Sequence, residues 1–136
     1  MSAITAREAD IFRCLADTVV APPAPVGDTD AAAFFADWLA HAPALNRLGI
    51  RGLLYALELA PLLAGAGARM RRLDAPQRRA VLARIRATPL GGAIEALSTI
   101  AQLSYYGDGA VMDALGYDAD AVIARCRELR AREQRW

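Results

Sequence analysis

Between successive proline and glycine breaks, the apolar residues of this chain recur three and four positions apart, the repeat of a helix with one buried face. Ile11, Phe12, Leu15 and Val19 form one such stripe. Ala31, Phe34, Phe35, Trp38, Leu39 and Ala42 form a second, and Val81, Leu82 and Ile85 a third. Apolar residues make up 55% of the 136 positions, with much alanine and leucine and few β-branched runs, a composition that favours helix. That length suits one domain with a core of its own. The expectation is an all-α fold, a compact single-domain bundle of six or seven helices over 1–136.

Local signals place the helix ends. Thr5 and Glu8 have the spacing of a capping box for a first helix over roughly Ala6–Val20. Pro22, Pro23 and Pro25 close it, and an extended surface turn follows to Thr29. Asp28, Thr29 and Asp30 supply caps and negative charge for the second helix. Pro43 opens a third that runs to about Leu59, where Pro61 bends or breaks it. Gly65 and Gly67 mark a loop, and Asp74, Pro76 and Gln77 start a fourth helix. Thr88 and Pro89 begin a fifth that reaches Tyr106, with Gly91 and Gly92 allowing close approach by another backbone. Asp118 or Asp120 caps the last, which places Ala119, Val122, Cys126 and Leu129 inside and the arginines from Arg125 to Arg135 outside.

Two helices are apolar on nearly every side. In the third, Arg47, Arg51 and Glu58 share one narrow stripe, which predicts a helix buried on most sides with a thin polar edge. That edge faces solvent or pairs with charges on another chain. In the fifth, Glu95, Thr99 and Gln102 occupy one narrow arc, which makes it the central helix.

Several function classes find no support. Net charge is +1, so no global field recruits nucleic acid or a membrane surface. The arginines from Arg69 to Arg86 cluster without interleaved aromatic residues, unlike a nucleic-acid surface. Arg78 lies on the apolar stripe of its helix, where it snorkels past the helix end or points into an interface. The apolar run 52–68 is short for a membrane span and contains Glu58. Gly65-Ala-Gly67 lacks the third glycine and preceding strand of a dinucleotide loop, and His41 has no partnered nucleophile or second ligand. No catalytic, cofactor-binding or metal-ligating residue is therefore assigned. Cys14 and Cys126 fall on apolar faces and read as two buried free thiols, a bridge between first and last helix being the alternative. The first residues lack the basic region of a secretory leader.

The stretch Leu103-Ser-Tyr-Tyr-Gly-Asp-Gly-Ala-Val-Met-Asp-Ala-Leu-Gly-Tyr117 concentrates the most information. Tyr105 and Tyr106 end a helix, Gly107 can take the positive φ of a helix stop, and Asp108 can cap a short helix with Val111, Met112 and Leu115 on its apolar face. Gly116 reads as a second left-handed stop before Tyr117. The result is a rigid corner, either core architecture or a presented surface.

Ser-Tyr-Tyr-Gly-Asp with Val111, Met112 and Leu115-Gly116-Tyr117 resembles the C-terminal signature of the gluconate 2-dehydrogenase subunit 3 family. The opening stretch from Thr5 to Val20 is similar to that family's first helix. Gly109 stands where the family pattern often has proline. The resemblance implies a small helical subunit that binds a larger FAD-dependent oxidoreductase of the glucose-methanol-choline type, acting on an alcohol or sugar. It would carry no cofactor of its own, since FAD belongs to the partner. Candidate partner-interface residues are Tyr105, Tyr106, Asp108 and Tyr117 in the corner, with Trp38, Arg78 and Trp136. Many relatives begin with a twin-arginine export signal that is not seen here, so a cytoplasmic complex is expected. The alternative is a free-standing helical module that forms homo-oligomers or holds a small apolar ligand.

Overall fold

The computed structural model describes residues 4–20 and 30–133. The proline turn expected over 21–29 and Trp136 lie outside them. Among the described residues the chain is all-α, with seven helices. They are α1 (Ala6–Val20), α2 (Ala31–His41), α3 (Ala44–Leu63), α4 (Ala75–Arg86), α5 (Gly91–Tyr106), α6 (Gly109–Ala114) and α7 (Ala119–Glu133), with a single 3-10 turn at Met70–Arg72.

The expected caps form. Thr5 and Glu8 bond reciprocally: the Thr5 N–H donates to the Glu8 carboxylate at 2.7 Å and the Glu8 N–H to the Thr5 hydroxyl at 3.2 Å. Asp74 and Gln77 make a second capping box on α4, and Asp30 caps α2. The core gathers on α1 and α5, which pack most extensively against each other. Ile11, Phe12 and Leu15 from α1 meet Phe35 and Leu39 from α2, Leu54 and Leu57 from α3, and Ile94, Leu97 and Ala101 from α5. Phe12 and Phe35 stack with centroids 4.0 Å apart and rings within 8° of parallel.

Pro61 neither breaks nor ends α3. The helix runs to Leu63 with Pro61 buried in its last turn, where proline's missing N–H forgoes one bond to the Leu57 carbonyl. α5 begins two residues later than expected, at Gly91. A Cβ on Gly91 would stand 2.3 Å from the Arg86 carbonyl oxygen, so the turn from α4 into α5 closes only around glycine.

The largest departure concerns α3. Of its polar edge, Arg47 is exposed and reaches only the Ala40 carbonyl at 3.4 Å, whereas Arg51 and Glu58 pair with groups of this same chain. Glu58 is fully buried and accepts from Arg71 Nε at 2.9 Å and from the Arg71 backbone N–H at 3.3 Å. Arg51 forks onto Glu8 with Nε at 2.8 Å and a terminal nitrogen at 3.0 Å. Arg71 also reaches Asp10, which pairs with Arg13, and Arg13 reaches the α2 cap Asp30. One string of charges thus joins α3, the 3-10 turn, α1 and α2. With Arg51 and Glu58 paired within the chain, Leu45, Leu48 and Leu63 face outward and are 79%, 70% and 89% exposed.

α7 differs as well. Its stripe is present, but no residue of the helix is buried, and Val122, Leu129 and Cys126 are exposed. Amphipathic spacing signals a face that needs cover, not a face that has it.

Two predictions follow from these contacts. The Glu8 carboxyl is held below its ordinary value of 4.5, chiefly by the Arg51 guanidinium and against the effect of burial. Its contribution to stability is complete above that value and is lost as pH falls through the lower value of the folded chain. Glu8→Gln keeps the cap but removes the charge, so its stability to denaturant should fall less than wild type's between neutral pH and about pH 3. Equal acid sensitivity would contradict the pairing. At the α4–α5 turn, Gly91→Ala should cost roughly 1–3 kcal/mol. Gly92→Ala, whose Cβ meets nothing within 4 Å, should be neutral or stabilise by about 0.5–1 kcal/mol through helix propensity. Thermal melts of the two variants separate these outcomes.

Candidate functional site

The corner between α5 and α7 is built by backbone and cap bonds. The Gly107 N–H donates to the Leu103 carbonyl at 2.9 Å and closes α5. Gly107 does not use left-handed backbone: its φ is −83°, because the chain continues in a helical turn into Asp108. A Cβ there would still come within 2.7 Å of the Leu103 carbonyl oxygen. Asp108 caps α6, its carboxylate accepting from the Ala110 N–H at 2.9 Å. Gly116 is the left-handed stop expected of it, with φ of 67°. The Tyr117 N–H donates to the Met112 carbonyl at 2.9 Å, and Asp118 caps α7 through the Ala121 N–H at 3.1 Å.

This scaffold divides its side chains. Ser104 and Val111 are buried and root the corner in the core. Leu103, Tyr106, Leu115 and Tyr117 are all about half exposed or more. Tyr105 and Tyr106 meet edge to face with centroids 5.2 Å apart, and the half-buried Tyr105 has its hydroxyl enclosed without a hydrogen-bond partner. The corner is therefore a presented surface on a buried root.

The other expected site residues lie on separate parts of the fold. Trp38 stacks on Phe35 at 6.3 Å and is 37% exposed. It stands at the mouth of an apolar groove of about 840 Å³ between α3 and α5. Gly49, Gly52 and Ala56 on α3 and Ala93 and Ala96 on α5 line it with exposed small residues, together with half-buried Leu53 and Ile100 and buried Leu97. Neither α3 glycine would meet any atom within 4 Å if given a Cβ, so their missing side chains leave open space. The helical stripes in the sequence do not reveal this groove; its signal is the small-residue spacing on two otherwise apolar helices.

Arg78 neither snorkels past its helix end nor extends outward. Half-buried, it donates to the Arg71 carbonyl at 3.3 Å, and its Nε is enclosed without a partner. His41 is an exposed helix-end residue whose Nδ1 lies 2.8 Å from the Asp37 carbonyl. Among the described residues no cluster of His, Cys, Asp and Glu has the arrangement to hold a metal ion. No described helix is long and apolar enough to cross a membrane. No known protein family, curated protein or solved structure matches the chain.

The cysteines are both free and differ in environment. Cys14 is buried, and burial pushes its thiol above the ordinary range, whereas Cys126 is exposed, contrary to the expectation of two buried thiols. A thiol reagent at neutral pH should label Cys126 promptly in the folded chain and Cys14 only on unfolding. Prompt labelling of both would contradict the packing of α1.

Proposed function

We propose that this chain is a non-catalytic accessory subunit that binds and stabilises an FAD-dependent oxidoreductase of the glucose-methanol-choline type acting on an alcohol or sugar. The observation that carries the reading is the corner over 103–117. The residues that resemble the small-subunit signature are those that hold Leu103, Tyr106, Leu115 and Tyr117 at the surface. Exposed aromatic and leucine side chains on a capped backbone suit a protein contact, because the loop that carries them is already ordered before binding. The partner would hold the FAD and perform the hydride chemistry. The small subunit would cover apolar surface or shape access to the active site, within a cytoplasmic complex.

One observation favours a second reading. The α3–α5 groove has a volume in the range of small-molecule sites, which suits a free-standing module holding an apolar ligand.

The test is mild affinity purification of the tagged chain from its native cells, followed by an absorbance spectrum. The subunit reading predicts a larger co-purifying protein with flavin bands. Combined Tyr106→Ala and Tyr117→Ala should weaken that association at least tenfold, with an unchanged melt. A colourless, partner-free, well-folded chain would overturn the reading and favour the free-standing module.

A further inference from the structure

The corner and the start of α7 differ in charge from the rest of the chain. From Ala87 to Ala124 the sequence has no basic residue, yet it carries Glu95, Asp108, Asp113, Asp118 and Asp120. Glu95 is paired with Arg86 at 2.9 Å. Among the described residues none of the four aspartates has an ion-pair partner. Asp108 and Asp118 each direct one oxygen to a helix cap, whereas Asp113 and Asp120 are exposed and cap nothing. The Gly116 N–H donates to the Asp113 carbonyl at 3.0 Å and the Tyr117 N–H to the Met112 carbonyl at 2.9 Å, which folds Asp113 back beside Tyr117. The carboxylates therefore alternate with the exposed Tyr106, Leu115 and Tyr117 around one surface. They define no site alone; the presented side chains between them do.

This charge restricts what can cover the corner. The phosphates of nucleic acid or of an anionic lipid surface would be repelled. A metal ion needs several ligands on one point, and among the described residues no three acidic side chains offer that. A protein surface with an apolar centre and a basic rim meets both features, because it covers the tyrosines and leucines and gives the carboxylates a cation. We propose that the larger subunit presents such a surface to the corner, an apolar depression ringed by lysine or arginine, and that Asp113 and Asp120 steer the two chains together. This rests on the flavoprotein reading and adds the chemistry of the partner's contact. Exposed rim pairs contribute little to the final affinity, since water and salt screen them. Their field acts before contact, over a Debye length of about 10 Å at 0.1 M salt, so their effect falls on the association rate. The apolar centre, once covered, governs dissociation.

The test is biolayer interferometry between the tagged full chain and the flavin-bearing protein released from the native complex, with sodium chloride raised from about 50 to about 500 mM. Wild-type association should slow about tenfold or more across that range, with dissociation nearly constant. Asp113→Asn combined with Asp120→Asn should slow association about three- to tenfold at the lower salt, flatten the salt dependence and leave dissociation unchanged. Both positions are exposed, so the melt should not move; Asp113→Lys serves as a second variant and should slow association further. Asp17→Asn, which removes an exposed carboxylate of α1, should change nothing. Tyr106→Ala combined with Tyr117→Ala should instead speed dissociation. Salt-independent association, or a salt dependence that survives the aspartate substitutions, would overturn the basic rim and leave the flavoprotein reading standing. A tagged chain that captures only a second copy of itself, or no flavin-bearing protein, would overturn both.

Discussion

Two inward-facing carboxylates determine how the remaining surfaces are distributed. Glu8 and Glu58 are almost wholly buried, and each is met by an arginine from another element. Removing the partner of a buried charge costs about 3–5 kcal/mol, so α3 is held at the rotation that brings Arg51 to Glu8 and Glu58 to Arg71. That rotation has a consequence on the opposite side. It turns Leu45, Leu48 and Leu63 to solvent and leaves the small residues of α3 lining an open groove. Pairs of this kind add little net stability over a well-packed apolar alternative, but they specify orientation, and α3 is the helix whose orientation sets the exposed apolar surface.

The features readable from sequence were those in which cause and effect lie within a few residues. The reciprocal Thr5–Glu8 cap, the Asp74–Gln77 box, the Asp108 cap and the Gly116 stop each depend on a side chain or φ angle next to the bond it makes. The stripes of α1 and α5 were readable because those helices sit at the centre and bury the face that their spacing marks. The rotation of α3 was not readable. Arg51 and Glu8 are 43 residues apart and Glu58 and Arg71 are 13 apart, so nothing local says which charge meets which. An almost uniformly apolar helix also gives no clear preference for one face, and the ion pairs settle the matter.

Other misreadings share a cause. The α7 spacing reads as a stripe turned inside, yet Val122, Cys126 and Leu129 are exposed, because periodicity marks an apolar face without naming a surface that covers it. Pro61 reads as a bend or break after about Leu59, yet in a last turn its missing donor costs one bond and the helix continues to Leu63. Gly107 reads as left-handed because glycine so often is at helix ends; here it is needed instead for its close approach to the Leu103 carbonyl. The candidate interface residues divided for the same reason. Tyr106 and Tyr117 are placed by local caps and are presented, whereas Arg78 is drawn inward by the 3-10 turn it packs on.

The interior charges of this helical domain thus leave apolar surface at a corner, a groove and a terminal helix. We propose that the corner serves a larger flavoprotein. Hydrogen–deuterium exchange of the chain alone and in its native complex tests that claim most directly. The account predicts added protection over 103–117 in the complex, with α1 unchanged because its amides are already shielded in the core. Unaltered exchange over 103–117 in a complex that contains the flavoprotein would contradict it.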